Sequence, residues 1–412
     1  MYDKIFMKVI DVERIIFHID VNNAFLSWTA IDLLNKGYKY DIRKSYAVIG
    51  GDETKRRGVV LAKSSSAKKL GIKTGETLIE ARKKCKVLKI YPPKYNWYQQ
   101  KSKELFKLLR KYTPDIEIAS IDECYLDYGK VKHLYGNEIE FAKKLKDEIY
   151  EKLKFTVNIG IANNKLCAKM ASDFEKPNKI HTLYHYEIQT KMFPLPINDL
   201  FGIGKKTTEK LKKLNILKIS DLASADVNYL YKYFKNQAIK MIEIANGIDN
   251  SPVISEKLLN KDISNSTTLD HDILDKLEAY KVIENLVINV SHSLRCQNQY
   301  AYVVGVILKD NYFKTYSHQK KLKNATNLTN EIYNISKDLF DEMWKLEPIR
   351  LIGVRLSNLV SSSNHQVSLF DDLDNRELDL KLENTIDNLK AKYGYKIINN
   401  ASLDFIIQSK KE

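Results

Sequence analysis

Asp122 and Glu123 stand side by side in Glu117-Ile-Ala-Ser-Ile-Asp-Glu-Cys-Tyr-Leu-Asp127, between apolar runs that read as two short strands. Successive strand side chains alternate faces, so neighbouring carboxylates share a cleft only where the chain turns or bulges between them. A third acid, Asp20, follows the apolar, β-branched run Ile15-Ile-Phe-His-Ile19, which reads as a buried strand delivering a carboxylate at its end. Three hard oxygen donors in one cleft suit magnesium. Two such ions about 3.5 to 4 Å apart can hold a triphosphate, lower the pKa of an attacking hydroxyl and stabilise the leaving oxygen. That chemistry is nucleotidyl transfer. Each acid alone reads more readily as a solvated or capping group; the three together point to a metal cleft.

The elements that must position these acids follow from periodicity. Leu105, Phe106, Leu108 and Leu109 lie in a helical stretch from Tyr98 to Tyr112 that stops at Thr113-Pro114. Phe141, Leu145, Ile149 and Leu153 recur every four residues as an amphipathic helix, and Phe155 to Ile159 reads as a strand. The order strand, helix, strand, strand, helix, strand predicts a ferredoxin-like sheet. A segment of about 50 residues is inserted between the first helix and the hairpin, with a strand at Val59 to Ala62 and a basic helix from Ser64 to Leu70 stopped by Gly71. Lys176-Pro177-Asn178 ends the next helix, and residues 181 to 248 read as small helices. Among them, Leu200-Phe-Gly-Ile-Gly204 opens a lysine-rich helix. Gly202 and Gly204 would let backbone N–H groups face a phosphate, with Lys205 behind them, as in a helix-hairpin-helix. From about Ser255 to Leu359, strands at Tyr302 to Leu308 and Ile349 to Leu356 flank a helix from Glu331 to Trp344, a separate α+β domain. Ser361 to Asn364 reads as a linker and the rest as a polar tail.

At 412 residues the chain requires two to four domains. No run approaches the roughly 18 apolar residues of a membrane span, and Met1 to Lys8 has no signal-peptide pattern. A cytoplasmic protein is expected. Cys85, Cys124, Cys167 and Cys296 are scattered, which suggests neither a zinc site nor a disulfide framework. Residues 361 to 412 hold 7 Lys/Arg against 9 Asp/Glu, so the net charge of +15 leaves +17 on residues 1 to 360. A folded body with that surplus favours a polyanionic partner, nucleic acid before anionic membrane; lysine-rich usage set by genome composition is the alternative source of the charge.

Four strings, Ile19-Asp-Val-Asn-Asn-Ala-Phe25, Ser120-Ile-Asp-Glu-Cys-Tyr-Leu-Asp127, Asn158-Ile-Gly-Ile-Ala-Asn-Asn-Lys-Leu166 and Leu200-Phe-Gly-Ile-Gly204, resemble in order and spacing the Y-family translesion DNA polymerases. The similarity, to the bacterial branch of DNA polymerase IV and UmuC, covers roughly residues 13 to 360. It implies that Asp20, Asp122 and Glu123, with the Val21 carbonyl, bind two magnesium ions, and that Glu123 is the active-site acid. Phe25 would be a steric gate beneath the incoming sugar, and Lys165 would contact the triphosphate. Two positions depart from the family: Ser65 and Lys68 stand where many members carry Tyr and Arg to hold the triphosphate, and Asn22 stands where Asp is common. Lysine supplies the charge without the planar fork of arginine. The implied architecture is a palm at residues 13–28 and 84–178, fingers at 29–83, a helix-hairpin-helix thumb at 181–248 and an α+β little finger at 255–360. Partners would be template-primer DNA and deoxynucleoside triphosphates, gripped by a monomer without proofreading. In the tail at 361–412, Gln366-Val-Ser-Leu-Phe370 resembles the peptide that docks Leu369 and Phe370 in the bacterial sliding clamp, the beta subunit, with Gln366 at the rim. Two rival readings are a UmuC-type subunit that needs accessory SOS proteins and a non-catalytic DNA- and clamp-binding scaffold.

Overall fold

The computed structural model describes residues 14–53, 58–256, 260–361, 373–394 and 398. They divide into two compact units, with the boundary at residue 257.

The first unit opens with β1 (Ile16–Val21) and α1 (Ala24–Asn35), followed by β2 (Ala47–Gly50), β3 (Val60–Lys63), α2 (Ser65–Lys69), α3 (Leu78–Lys84) and β4 (Lys89–Tyr91). Next come α4 (Tyr95–Leu109), β5 (Ile116–Ile118), β6 (Glu123–Asp127), the one-turn α5 (Lys132–Tyr135), α6 (Glu138–Leu153), β7 (Val157–Ala162), α7 (Lys165–Asp173) and β8 (Ile180–Leu183). The main sheet has the order β5-β6-β1-β7-β8, with β1 antiparallel to both β6 and β7. This is the expected ferredoxin-like order. One strand goes beyond the expectation: Ile180–Leu183 lies parallel to β7 at the sheet edge, where the sequence pattern moves straight on to helices. The Ile159 N–H donates to the Lys179 carbonyl and starts that pairing. The inserted segment forms its own small sheet, β3-β2-β4, which runs on to Tyr91.

Alternation along β1 sets the layers. Phe17, Ile19 and Val21 enter a core with Trp28 of α1, Tyr98 and Leu105 of α4 and Phe141 and Leu145 of α6. Ile16, His18 and Asp20 face the other way, towards α7, where the His18 Nδ1 lies 2.7 Å from the Ser172 hydroxyl. The Asn137 side chain accepts the N–H groups of Ile139 and Glu140 and starts α6, a cap typically worth about 1 kcal/mol. Gly160 is required where β7 meets α7, because a Cβ there would sit 2.0 Å from the Ala168 carbonyl oxygen. Four helices complete the unit: α8 (Lys205–Lys213), α9 (Ile219–Ala223), α10 (Val227–Phe234) and α11 (Gln237–Ala245), packed around Leu211, Leu222, Leu230 and Ile242.

The second unit contains β9 (Asp262–Ile273), α12 (Lys276–Cys296), β10 (Tyr300–Asp310), β11 (Thr315–Thr326), α13 (Thr329–Met343), β12 (Ile349–Val360) and α14 (Leu373–Tyr393). Its antiparallel sheet, ordered β11-β10-β12-β9, packs Val304, Val306, Ile352 and Val354 against Ile283 and Val287 of α12 and Leu339 and Phe340 of α13. Part of the polar tail is helical and docked. The nearly buried Arg295 guanidinium bonds Glu383 and donates from Nε to Asp387 at 2.6 Å, while Glu383 also accepts the Thr329 N–H at 2.8 Å. Burial would raise the Asp387 carboxyl, but hydrogen bonds from Arg295 and His292 outweigh it and hold the group below its usual range. Glu383 is pushed up by burial. The partners lie about ninety residues apart, so no local pattern announces them.

Candidate active site

The three acids reach their positions through strand register. Asp20 of β1 lies directly opposite Glu123, the first residue of β6, so the two side chains emerge on one face. Asp122 belongs to the preceding bend, not to the strand. Its backbone carbonyl accepts the Val21 N–H at 3.0 Å, and its carboxylate accepts the Ser120 hydroxyl at 2.6 Å. At this bend the neighbouring acids part, Asp122 lining the cleft and Glu123 meeting Lys169. Asn22 ties neighbouring segments together, since its Nδ2 donates to Asn158 at 3.1 Å and its Oδ1 accepts the Asn178 N–H at 2.8 Å.

Ammonium groups balance the acids. Lys176 bonds Asp20 and stands 2.8 Å from Asp173. Lys169, on α7 and 7% exposed, lies 3.0 Å from Glu123 and 3.8 Å from Asp20. His18 Nε2 is 3.5 Å from Glu123. The His18 ring, opposed by burial and then joined by Lys169, brings the Glu123 carboxyl down to about 2. Burial lowers the His18 pKa, against the opposing pull of the Glu123 carboxylate. Asp122 goes the other way: burial raises it, and the charges of Asp20 and Glu123 raise it further.

Asp20, Val21, Phe25 and Asp122 line one cleft of about 290 Å³, together with Lys63, Thr74 and Lys176. Glu123 turns instead to Lys169 and His18, and among the described residues no three His, Cys, Asp or Glu side chains are gathered tightly enough to hold a metal as they stand. The donor set nevertheless fits a divalent cation. Its oxygens are hard, two lysine ammonium groups already lie on it, and Asp122, raised first by burial, is raised further by the charges of Asp20 and Glu123, which a cation would offset. Phe25 is held flat against Tyr98, with centroids 4.5 Å apart and planes 12° from parallel, and the Tyr98 hydroxyl is fixed 2.7 Å from Thr29.

Other expected contacts lie elsewhere. Lys165 is paired with Glu117 at 2.7 Å, sits over the Tyr125 ring and does not line the cleft. Ser65 and Lys68 are exposed on α2, outside the cleft lining, and it is Ser64 that caps this helix by accepting the Ala67 N–H. The cation that β3 contributes is Lys63, bonded to the Thr74 hydroxyl at 2.9 Å, with its pKa lowered by burial and by the Lys68 charge. Sequence reasoning misses Lys63, Lys169 and Lys176. A signal for Lys176 is its place immediately after the helix that packs on β1; nothing local marks the other two among 67 Lys and Arg. Gly202, at φ 91°, and Gly204 are exposed around buried Ile203, and Lys205 begins α8. Gln366, Leu369 and Phe370 lie outside the described residues.

A ferredoxin-like sheet that presents carboxylates and lysines to one cleft has the groups that one class, the metal-dependent nucleotidyltransferases, uses. Comparison with known proteins narrows it. Residues 19–173 match the impB/mucB/samB family, residues 260–369 that family's C-terminal domain and residues 187–216 the IMS family HHH motif. DNA polymerase IV of Clostridium acetobutylicum is 46% identical over 95% of this chain and 98% of its own length, and DNA polymerase IV 1 of Bacillus subtilis is 32% identical over 94% and 93%. Among solved structures, a Y-family DNA polymerase chimera built on Dbh matches with a TM-score of 0.71 and 29% identity, and an insertion ternary complex of Dbh DNA polymerase with 0.60 and 28%; each match covers 84% of this chain and 100% of the other. The chain belongs to the impB/mucB/samB family of Y-family polymerases and is a DNA-directed DNA polymerase of translesion synthesis, with the divalent-metal dependence that membership implies.

Proposed function

We propose that the chain extends a primer by template-directed nucleotidyl transfer at the cleft of Asp20, Asp122 and Glu123. The observation that carries this is the direct pairing of Asp20 with Glu123 across β1 and β6, with Asp122 in the adjoining bend. The three carboxylates and the Val21 carbonyl would hold two magnesium ions, which when bound supply charge neutralisation and a more acidic primer hydroxyl. The primer 3′-hydroxyl attacks the α-phosphate and pyrophosphate leaves. The protein's share is positioning and electrostatics. Lys176 and Lys63, which both line the cleft, receive the triphosphate, a role the family resemblance gives to Lys165 and to the positions that Ser65 and Lys68 occupy. Phe25, braced by Tyr98, is the sugar gate.

The main sheet with α1, α4, α6 and α7 serves as palm, the β3-β2-β4 sheet as fingers, α8 to α11 as thumb and the second unit as little finger. Template-primer DNA is held through phosphates by the first turn of α8, after Gly202 and Gly204 and beginning at Lys205, and by the lysines of β11. The Gln366 to Phe370 peptide tethers this polymerase to the sliding clamp. Among the described residues no helix is long and apolar enough to cross a membrane. The chain would work as a monomer on cytoplasmic DNA. Matches to DNA polymerase IV proteins over nearly the whole chain do not favour the scaffold or the UmuC-type subunit. The test is primer extension by the purified chain and by its Asp122→Ala/Glu123→Ala variant in magnesium: extension by the parent alone is expected, and equal extension by the variant would refute the assignment.

A further inference from the structure

We propose that the four-helix region carries a second nucleic-acid site, on α8 and α10, that takes single-stranded DNA. Helix α10 buries Leu230 and Phe234 and turns Tyr229 and Tyr233 outward, 43% and 50% exposed. These two rings lie one helical turn apart and meet edge to face, with centroids 5.5 Å apart. Beside Tyr233 is a pocket of about 400 Å³ whose lining includes Lys206, Lys210, Lys235, Thr207 and Asn236 and no carboxylate.

Lys235 ends α10 at φ 52° and ψ −136°, a conformation that glycine enters freely and side-chain-bearing residues enter under strain. Lys235 lines the pocket, with its Nζ 5.9 Å from the centre of the Tyr231 ring, so its charge stands beside an aromatic face. The ligand follows from chemistry: three cations without acids suit a phosphate, and an exposed pair of aromatic rings suits the face of a base. In a duplex those faces are already stacked on neighbouring bases, whereas an unpaired strand presents them freely. One phosphate therefore enters the lysine pocket and an adjacent base stacks on Tyr229 and Tyr233. Lys206 and Thr207 of the pocket belong to the first turn of α8 that grips the duplex, whereas Tyr229, Tyr233 and Lys235 lie outside that turn, so it is the stacking contact that is distinct from the duplex grip proposed above. It deepens the DNA-binding reading without depending on catalysis.

The experiment measures fluorescence anisotropy of the full chain with a labelled oligothymidylate of about twelve nucleotides, a length within the range of known single-strand sites, and with a blunt duplex of equal length, over a salt series. Tyr229→Ala/Tyr233→Ala should weaken oligothymidylate binding about tenfold or more and leave duplex binding unchanged, while Tyr229→Phe/Tyr233→Phe should stay within about twofold because the stacking faces remain. Lys206→Ala/Lys210→Ala should reduce the slope of log affinity against log salt by about 1.4 for the single strand. The Asp122→Ala/Glu123→Ala protein should bind oligothymidylate like the parent, which separates this site from the polymerase centre. Unchanged oligothymidylate binding by the tyrosine-to-alanine protein overturns the proposal. So does equal weakening on both probes, which would make the patch part of the duplex grip, or a loss in the phenylalanine variant, which would exclude stacking.

Discussion

Gly160→Ala tests whether the packing of α7 on the sheet sustains the cleft. The added methyl would lie 2.0 Å from the Ala168 carbonyl oxygen and 2.5 Å from the Ser172 nitrogen, where ordinary contact needs roughly 3.4 Å. Both obstacles are backbone, so no rotamer change relieves them, and α7 must retreat by about 1 Å or more. Overpacking of this kind costs about 1 to 3 kcal/mol, and a clash with backbone belongs at the upper end. In a unit of this size that loss lowers Tm by about 6 to 12 °C. The retreating helix carries Lys169, which touches Glu123 and Asp20, and Ser172, which holds His18. A displacement near 1 Å at such a site costs on the order of a hundredfold in rate. Scanning calorimetry and single-nucleotide incorporation read the two effects. Gly305→Ala, whose new methyl would meet nothing nearer than 3.4 Å, is the control and should change Tm by no more than about 2 °C. A Gly160→Ala protein that melts and incorporates like the parent would show that the close approach of β7 and α7 is not required.

Four further outcomes are expected. Lys176→Ala should lower kcat/KM for nucleotide on the order of tenfold to a hundredfold, the worth of a hydrogen bond to a charged group, with primer-template affinity preserved; an unchanged steady-state value removes Lys176 from the triphosphate site. Lys63→Ala should raise KM more than Lys68→Ala does, because Lys63 lines the cleft and Lys68 does not, and the reverse order would restore the family-like position. Phe25→Ala should reduce discrimination against ribonucleotides by on the order of tenfold or more, measured by competition between the two sugars; undiminished discrimination would reject the gate. Asp387→Ala leaves Arg295 with one carboxylate fewer in a nearly buried setting and should destabilise the second unit by about 1 to 3 kcal/mol, seen as an earlier urea midpoint in that unit's transition; an unshifted midpoint would mean that α14 docks without it.

What can be read from the chain is set by local rules. Alternation around Ile15 to Asp20, four-residue spacing from Phe141 to Leu153 and Pro114 after a helical run are short-range consequences of strand and helix geometry. They are enough for the ferredoxin-like order and for the three acids that the structure sets on adjoining strands and their bend. The edge strand Ile180–Leu183 escapes because four residues carry little periodicity and its pairing lies some twenty residues upstream, on β7. The positive side of the cleft is the hardest to read. The resemblance makes Lys165 a triphosphate ligand, yet Glu117, 48 residues away, holds it, while Lys63 and Lys176, far apart in the chain, line one cleft.

The order of amino acids marks the carboxylates as candidates for the chemistry, because the apolar run that ends at Asp20 and the turn between Ser120 and Glu123 are written locally. Which of many lysines answer them is decided only when the chain folds, because a flexible side chain's partner depends on where distant elements bring its backbone. Asp122 and Glu123 can be named from their neighbours, whereas Lys63 and Lys169 can be named only once β3, α7 and β1 have come together.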